Sequence, residues 1–260
     1  MITYNPIPVL LEIGNFKIYS WGTMLAISFI IALFFMLKDA KKKKIESRHI
    51  WNVWFLCLIG AIIGSRLLYV LLNFTYYYSK PIEIFQLWAG GLASFGGILL
   101  SLLFVFIYAK KTKIDFEEII DSLAPYLALG FAITRIGCFL NWDDFGIASS
   151  LPWAISAAGD IPRHPTQLYL SALDFLLFIL LIKIRKIKEN LKNKRINARI
   201  VRLPLLAVFF FCFAIIRLLV GPIRVYDTAN YNLFSISISL LLLMASSLWV
   251  VKKIKKFKKV

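Results

Sequence analysis

Three arginines, Arg66, Arg135 and Arg217, stand inside long apolar runs of this 260-residue sequence. A charge within a membrane helix is costly and as a rule faces the bundle interior or a wet cavity, which makes each of them a functional candidate. The alternative for any one is an arginine near a helix end whose head reaches the interface. At a rise of 1.5 Å per residue, each lies roughly 20–24 Å beyond the inner end of its run. All three are therefore expected at one depth, in the outer half of the membrane. Guanidinium groups bind phosphate bidentately, and phosphate at that depth means a lipid headgroup or something attached to one. A cationic chamber opening toward the outer leaflet is the site these spacings predict.

Other chemistry-bearing residues fall at the same level. The third apolar run begins Trp88-Ala89-Gly90-Gly91-Leu92-Ala93-Ser94-Phe95-Gly96-Gly97. Such glycines serve either close helix packing or an irregular backbone that lines a cavity. The fourth run ends Thr134-Arg135-Ile136-Gly137-Cys138-Phe139-Leu140-Asn141-Trp142-Asp143-Asp144-Phe145-Gly146, which puts a cation, an amide and two carboxylates at the outer mouth. Asp143 and Asp144 are either a proton-handling pair or solvated acids at a helix end. The connection that follows, to about Thr166, holds Pro152, Trp153, Pro162, Arg163, His164 and Pro165. A long outer loop is where a protein substrate would be met. Cys57, Cys138 and Cys212 match no zinc or redox spacing and read as packing residues.

The elements that must hold these groups follow from composition. The chain is 60% hydrophobic and only 17% charged, with a mean hydropathy of +0.74, whereas a soluble domain is about a quarter charged. The expected fold class is all-α, a polytopic membrane protein of about seven transmembrane helices forming one domain over residues 1–260. Apolar runs bounded by charges or turn residues place the spans near 17–37, 49–73, 88–109, 119–139, 167–184, 203–221 and 233–251.

The connections at 38–48, 110–118 and 183–202 and the tail after 251 carry 24 Lys or Arg, against Lys17, Lys80, Arg163 and Arg224 on the other side. Basic loops stay in the cytoplasm, so the N-terminus is expected outside and the C-terminus inside. Met1–Phe16 has no basic segment and no small-residue cleavage site, and no removable signal peptide is expected. The net charge of +17 is not a nucleic-acid signal, because no basic loop is a folded domain. Lys41–Lys44 and the Lys-rich tail are expected against anionic headgroups. An anion transporter built on the same arginines would show symmetry-related halves, and no internal repeat is present.

The run from Arg135 to Gly146, the segment Arg163-His164-Pro165-Thr166-Gln167-Leu168-Tyr169, the double-glycine run and the stretch from Arg217 to Asp227 resemble the prolipoprotein diacylglyceryl transferase family, in order and over nearly the whole chain. The resemblance implies an enzyme of the bacterial cytoplasmic membrane that needs no metal or cofactor. It would move the diacylglyceryl group of phosphatidylglycerol onto the lipobox cysteine of a prolipoprotein signal peptide, releasing glycerol 1-phosphate. By the same resemblance Arg135 and Arg217 clamp the lipid phosphate, Asn141 and Asp143 hold the mouth of the site, and Arg224 guides the headgroup or product. Arg66, Gly96, Gly97, Gly146, His164 and Gln167 complete the expected substrate contacts.

The sequence departs from the family pattern at several polar positions. Phe95 stands where the family has a histidine expected to act as base or substrate ligand. Cys138 replaces an asparagine, Asp143 and Leu170 replace glutamates, Phe213 replaces a tyrosine, Gly221 a glutamate and Trp21 a tyrosine. With these exchanges either His164 or Asp143 takes over the proton transfer, or the chain is a relative that binds phospholipid or prolipoprotein without turnover.

Overall fold

The computed structural model describes residues 2–14, 16–43, 46–87, 90–194, 199–226 and 229–255. Trp88 and Ala89 of the glycine-rich run, Lys44, Asp227 and the last five residues of the basic tail lie outside them. The described chain is built on helices, and seven of these are long and apolar enough to cross a membrane. They are α1 (Ser20–Lys43), α2 (Ser47–Leu72), α4 (Ser94–Thr112), α5 (Phe116–Asn141), α6 (Thr166–Asn193), α7 (Leu205–Val220) and α8 (Ala229–Lys255), with a short α3 (Phe74–Ser79) after α2. The chain is an all-α polytopic membrane protein, as its apolar runs predict.

Three boundaries lie more than four residues from the expected ones, each for a local reason; the first helix, for one, runs on to Lys43 and not 37 through Ala and Lys, which are good helix formers. The third span starts at Ser94 and not at 88, because Gly90 and Gly91 take positive φ angles of 83° and 77°, which no α-helix contains. The fifth runs on to Asn193, well past 184, because the Lys, Arg and Glu beyond the apolar stretch are good helix formers. Four short strands were not foreseen: β1 (Ile2–Tyr4), β2 (Val9–Ile13), β3 (Phe16–Tyr19) and β4 (Ile155–Ala157).

The chain divides into two compact units, residues 33–119 and residues 1–32 with 120–260. In the first, α2 packs on α4 through small residues. A Cβ on Gly60 would meet Ser101 backbone at 2.6 Å, and one on Gly97 would meet Ser65 Oγ at 2.8 Å. Gly64 and Gly96 face each other so closely that either Cβ would strike the opposite backbone carbonyl. This close approach is the usual way membrane helices associate, since apolar side chains gain nothing over lipid. A 3-10 turn at Pro81–Phe85 follows α3.

In the second unit α7 is the central helix, packed against both α6 and α8. Asp121 near the start of α5 ties three helices together: it takes Lys188 Nζ of α6 at 2.7 Å and the Leu205 backbone N–H of α7 at 2.7 Å. At the other end, β1 pairs in parallel with β4 and β2 with β3 in antiparallel. Tyr4 stacks on Phe139 at 4.7 Å, and Ile7 N–H donates to the Leu140 carbonyl at 2.7 Å. The N-terminal arm is thereby fixed to the last turn of α5, where the charged residues begin.

Candidate active site

After Asn141 the chain reverses through two non-glycine residues in the left-handed region, Trp142 (φ 56°) and Asp144 (φ 59°). Such conformations cost free energy and persist when their surroundings impose them. Here Thr166 Oγ1 donates to the Asp144 carbonyl at 2.6 Å and Gln167 Nε2 donates to the Asp143 carbonyl at 2.7 Å. Both donors begin α6 and are fully buried. The Trp142 ring stacks on Phe145, with centroids 6.0 Å apart.

What this turn positions is the Asp144 carboxylate. Arg135 Nη1 reaches one of its oxygens at 2.5 Å, and Arg224 Nη2 takes the other. Burial works to raise the Asp144 carboxyl, but the Arg135 and Arg224 guanidiniums outweigh it and hold it well below the usual carboxylate range. Charge-assisted bonds of this kind are the strong ones. Arg135 Nη1 also approaches Cys138 Sγ at 3.9 Å.

Gly146 sits in a small ladder that carries Arg224 to this place. Its N–H donates to the His164 carbonyl at 2.9 Å, Ile147 N–H to Ile223 O at 2.9 Å, and Val225 N–H to Phe145 O at 3.0 Å. A Cβ on Gly146 would meet His164 Cβ at 2.6 Å and Ile223 O at 2.7 Å, so only glycine lets the three segments lie together.

Arg217, on the last turn of α7, joins the same electrostatic group: Arg135, Arg224, Asp174 and Asp144 all act on it. Its guanidinium lies over the Phe213 ring, 4.8 Å from the centroid, and its Nε has no hydrogen-bond partner among the described residues. The Nε of Arg224 is free in the same sense. Arg135, Arg217 and Arg224 are each 8% exposed. Buried cations with unused donors are set up to receive an oxyanion.

Where α5 ends, Asn141 Nδ2 donates to Asp143 Oδ2 at 2.7 Å, while Asp143 Oδ1 has no partner among the described residues. Burial pushes the Asp143 carboxyl up, against the Asn141 hydrogen bond. His164 Nδ1 lies 3.2 Å from the Tyr169 hydroxyl, which accepts from Trp153 Nε1 at 2.7 Å. Cys138, Asp143 and Asp144 bring a thiol and two carboxylates within 4.8 Å of one another. Both Asp144 oxygens are already taken by guanidiniums, whose charge opposes a metal cation there.

The structure thus brings together Arg135, Asn141, Asp143, Gly146, His164, Gln167, Arg217 and Arg224. Three other expected contacts, Arg66, Gly96 and Gly97, lie in the unit of residues 33–119. Arg66 donates to the carbonyls of Ile84 at 2.8 Å, Glu83 at 2.5 Å, Gly90 at 2.7 Å and Gly91 at 3.1 Å, with its guanidinium 5.1 Å from the Tyr77 ring centroid. Four of its five N–H groups therefore hold the backbone carbonyls of 83–84 and 90–91. Gly96 and Gly97 lie against α2 backbone, the packing alternative for the glycine run.

Sequence reasoning passed over Asp174. It is 1% exposed on α6, and neither carboxylate oxygen has a partner among the described residues. The rule that singled out the arginines, a charge inside an apolar run, applies to it equally.

A chain with seven candidate membrane spans among its described residues, and a cluster of buried arginines beside carboxylates where α5 and α7 end and α6 begins, is a membrane protein equipped for an anionic group. Residues 8–252 match the prolipoprotein diacylglyceryl transferase family, and the chain belongs to it. Its relatives include proteins named phosphatidylglycerol–prolipoprotein diacylglyceryl transferase from Methylococcus capsulatus, 34% identical over 70% of this chain and 72% of the relative, and from Finegoldia magna, 32% identical over 83% of both. That of Pseudomonas paraeruginosa is 33% identical over 87% of this chain and 84% of its own length.

Proposed function

We propose that this chain, acting as one membrane domain over residues 1–260, transfers the diacylglyceryl group of phosphatidylglycerol to the lipobox cysteine thiol of prolipoprotein signal peptides in the bacterial cytoplasmic membrane. The observation that carries this reading is the group of buried guanidiniums of Arg135, Arg217 and Arg224 around Asp144, in a chain of this family.

Sulfur must attack the glycerol carbon that bears the phosphate. That requires a thiolate and stabilisation of the departing phosphate. Arg135 and Arg217 supply the second requirement, in a site where low dielectric strengthens each charge interaction. Arg224 holds Asp144 against Arg135 and leaves its own Nε for the headgroup or product. Asn141 fixes Asp143 at the mouth. His164, on the connection between α5 and α6, stands where the extended peptide would enter. The N-terminus outside and C-terminus inside would put this end of the spans at the outer leaflet.

The test is a mass assay of a lipobox peptide incubated with phosphatidylglycerol and the purified protein. The cysteine gains the diacylglyceryl mass with the wild type, and Arg135→Ala abolishes the gain. Normal turnover in that variant would sink the clamp role. One observation favours a second reading: Phe95, at the position of the family's histidine, is a buried apolar side chain. Phospholipid retained without any transfer would mark a relative that binds and does not react.

A further inference from the structure

Asp174 lies eight residues inside α6, on the face that also carries Leu170, Leu177 and Leu181, all buried. Ser171 Oγ donates to the Ala132 carbonyl at 2.8 Å, which seats this stretch of α6 against α5. The charged groups that act on the carboxylate are Arg217 of α7 and Arg135 of α5. A buried carboxylate on an apolar stripe is expected to be hydrogen-bonded, yet both of its oxygens lack partners among the described residues.

Each of the other acids of the cluster accepts through at least one oxygen, Asp143 keeping its Oδ1 without a partner among the described residues. Asp144 accepts from two guanidiniums, and Asp143 accepts from Asn141. His164 faces the Tyr169 hydroxyl.

We propose that Asp174 accepts the proton of the substrate thiol, an assignment that rests on reading the chain as a diacylglyceryl transferase. The S–H bond breaks and its proton goes to a carboxylate oxygen of Asp174. The sulfur electron pair forms the C–S bond to the glycerol carbon, and the C–O bond breaks with its pair leaving on the phosphate. A phosphodiester carries one negative charge, whereas the monoester released carries close to two at neutral pH, its second pKa being about 6. Protonating Asp174 removes one negative charge beside Arg217 and Arg135 as the phosphate gains one. The match between the cluster and its anion is therefore kept across the step, and the proton leaves to water after the product does.

The experiment uses the full-length protein in phosphatidylglycerol vesicles, with a lipobox peptide and its selenocysteine counterpart, from pH 6 to 9. Asp174→Asn is nearly isosteric. Transfer to the cysteine peptide at pH 7 should fall at least about a hundredfold, the lower range for losing a general base, with phospholipid retention unchanged. The residual rate should climb about tenfold per pH unit toward the free-thiol pKa of about 8.5. The selenocysteine peptide, already ionised at neutral pH, should restore transfer. Equal loss with both peptides and no recovery at high pH would mean a structural counter-charge and overturn the proposal, as would a wild-type rate. Asp174→Glu keeps the carboxylate and guards against a folding defect: it should retain transfer with a changed acid limb, and an unchanged limb also counts against the assignment. A wild-type protein that transfers nothing defeats the enzyme reading itself, whereas an active wild type beside an active Asp174→Asn defeats only this one.

Discussion

Asp144 is the residue on which the site's electrostatics turn, because its two oxygens are shared between Arg135 and Arg224. With its folded pKa depressed, the stability it contributes is complete above the ordinary carboxylate range, near 3.9, and is lost as pH falls toward the lower folded value. Thermal unfolding in detergent should therefore show a midpoint that declines below about pH 4. In Asp144→Asn the midpoint should be lower at neutral pH and that acid limb shallower; an unchanged limb would assign acid sensitivity to another group. The side chain is 37% exposed, so the neutral-pH loss should fall short of the roughly 3–5 kcal/mol that follows from removing one partner of a fully buried pair. How the residues read from sequence follows from the same physics. Arg135 and Arg217 are conspicuous because charge is rare in an apolar run. Asp174 is conspicuous by that rule too, but one acid in a long run attracts less notice than three arginines at one depth. The bridge from Asp144 to Arg224 spans 80 positions and depends on a left-handed turn in a non-glycine residue. Neither feature leaves a pattern in the sequence.

Among the elements, the long helices were legible because each must bury some twenty apolar residues, and their ends shifted most where positive-φ glycines or good helix formers intervened. The strands were not legible, since segments of three to five residues carry too little periodicity to stand out. The glycines gave two open readings that the structure divides by position: Gly90 and Gly91 bend the backbone toward Arg66, and Gly96 lies on Gly64. Gly96→Leu should push α4 off α2 and lower the detergent-solubilised unfolding midpoint, because the new side chain meets a backbone carbonyl that cannot move aside. A midpoint within one degree of wild type would show that the two helices part without cost. Gly146→Ala tests the other close approach. The methyl would meet His164 and Ile223 O, part the ladder that sets Arg224, and cut transfer at least tenfold while the spans stay folded. Full activity would mean that the ladder yields without moving the guanidinium.

For the whole molecule, the decisive quantity is the lopsided placement of its cations, 24 on one set of connections and four on the other. An orientation with those 24 residues in the cytoplasm puts the arginine cluster, the β1–β4 pair and the connection from Phe145 to Pro165 at the outer leaflet. The proposed function requires the same, because the connection after α5 is where the prolipoprotein is proposed to be met. The reverse orientation would carry 24 cations across the membrane and strand the site on the wrong side. Trp153, 51% exposed in the connection after α5, and Lys194, exposed just past the end of α6, report on opposite faces. With Cys57 and Cys212 replaced by Ala and the buried Cys138 kept, Trp153→Cys in intact spheroplasts should react with a membrane-impermeant maleimide. Lys194→Cys should react only after the membrane is opened. Labelling of Lys194→Cys in sealed spheroplasts would invert the topology and, with it, remove the site from the leaflet that the proposed function needs.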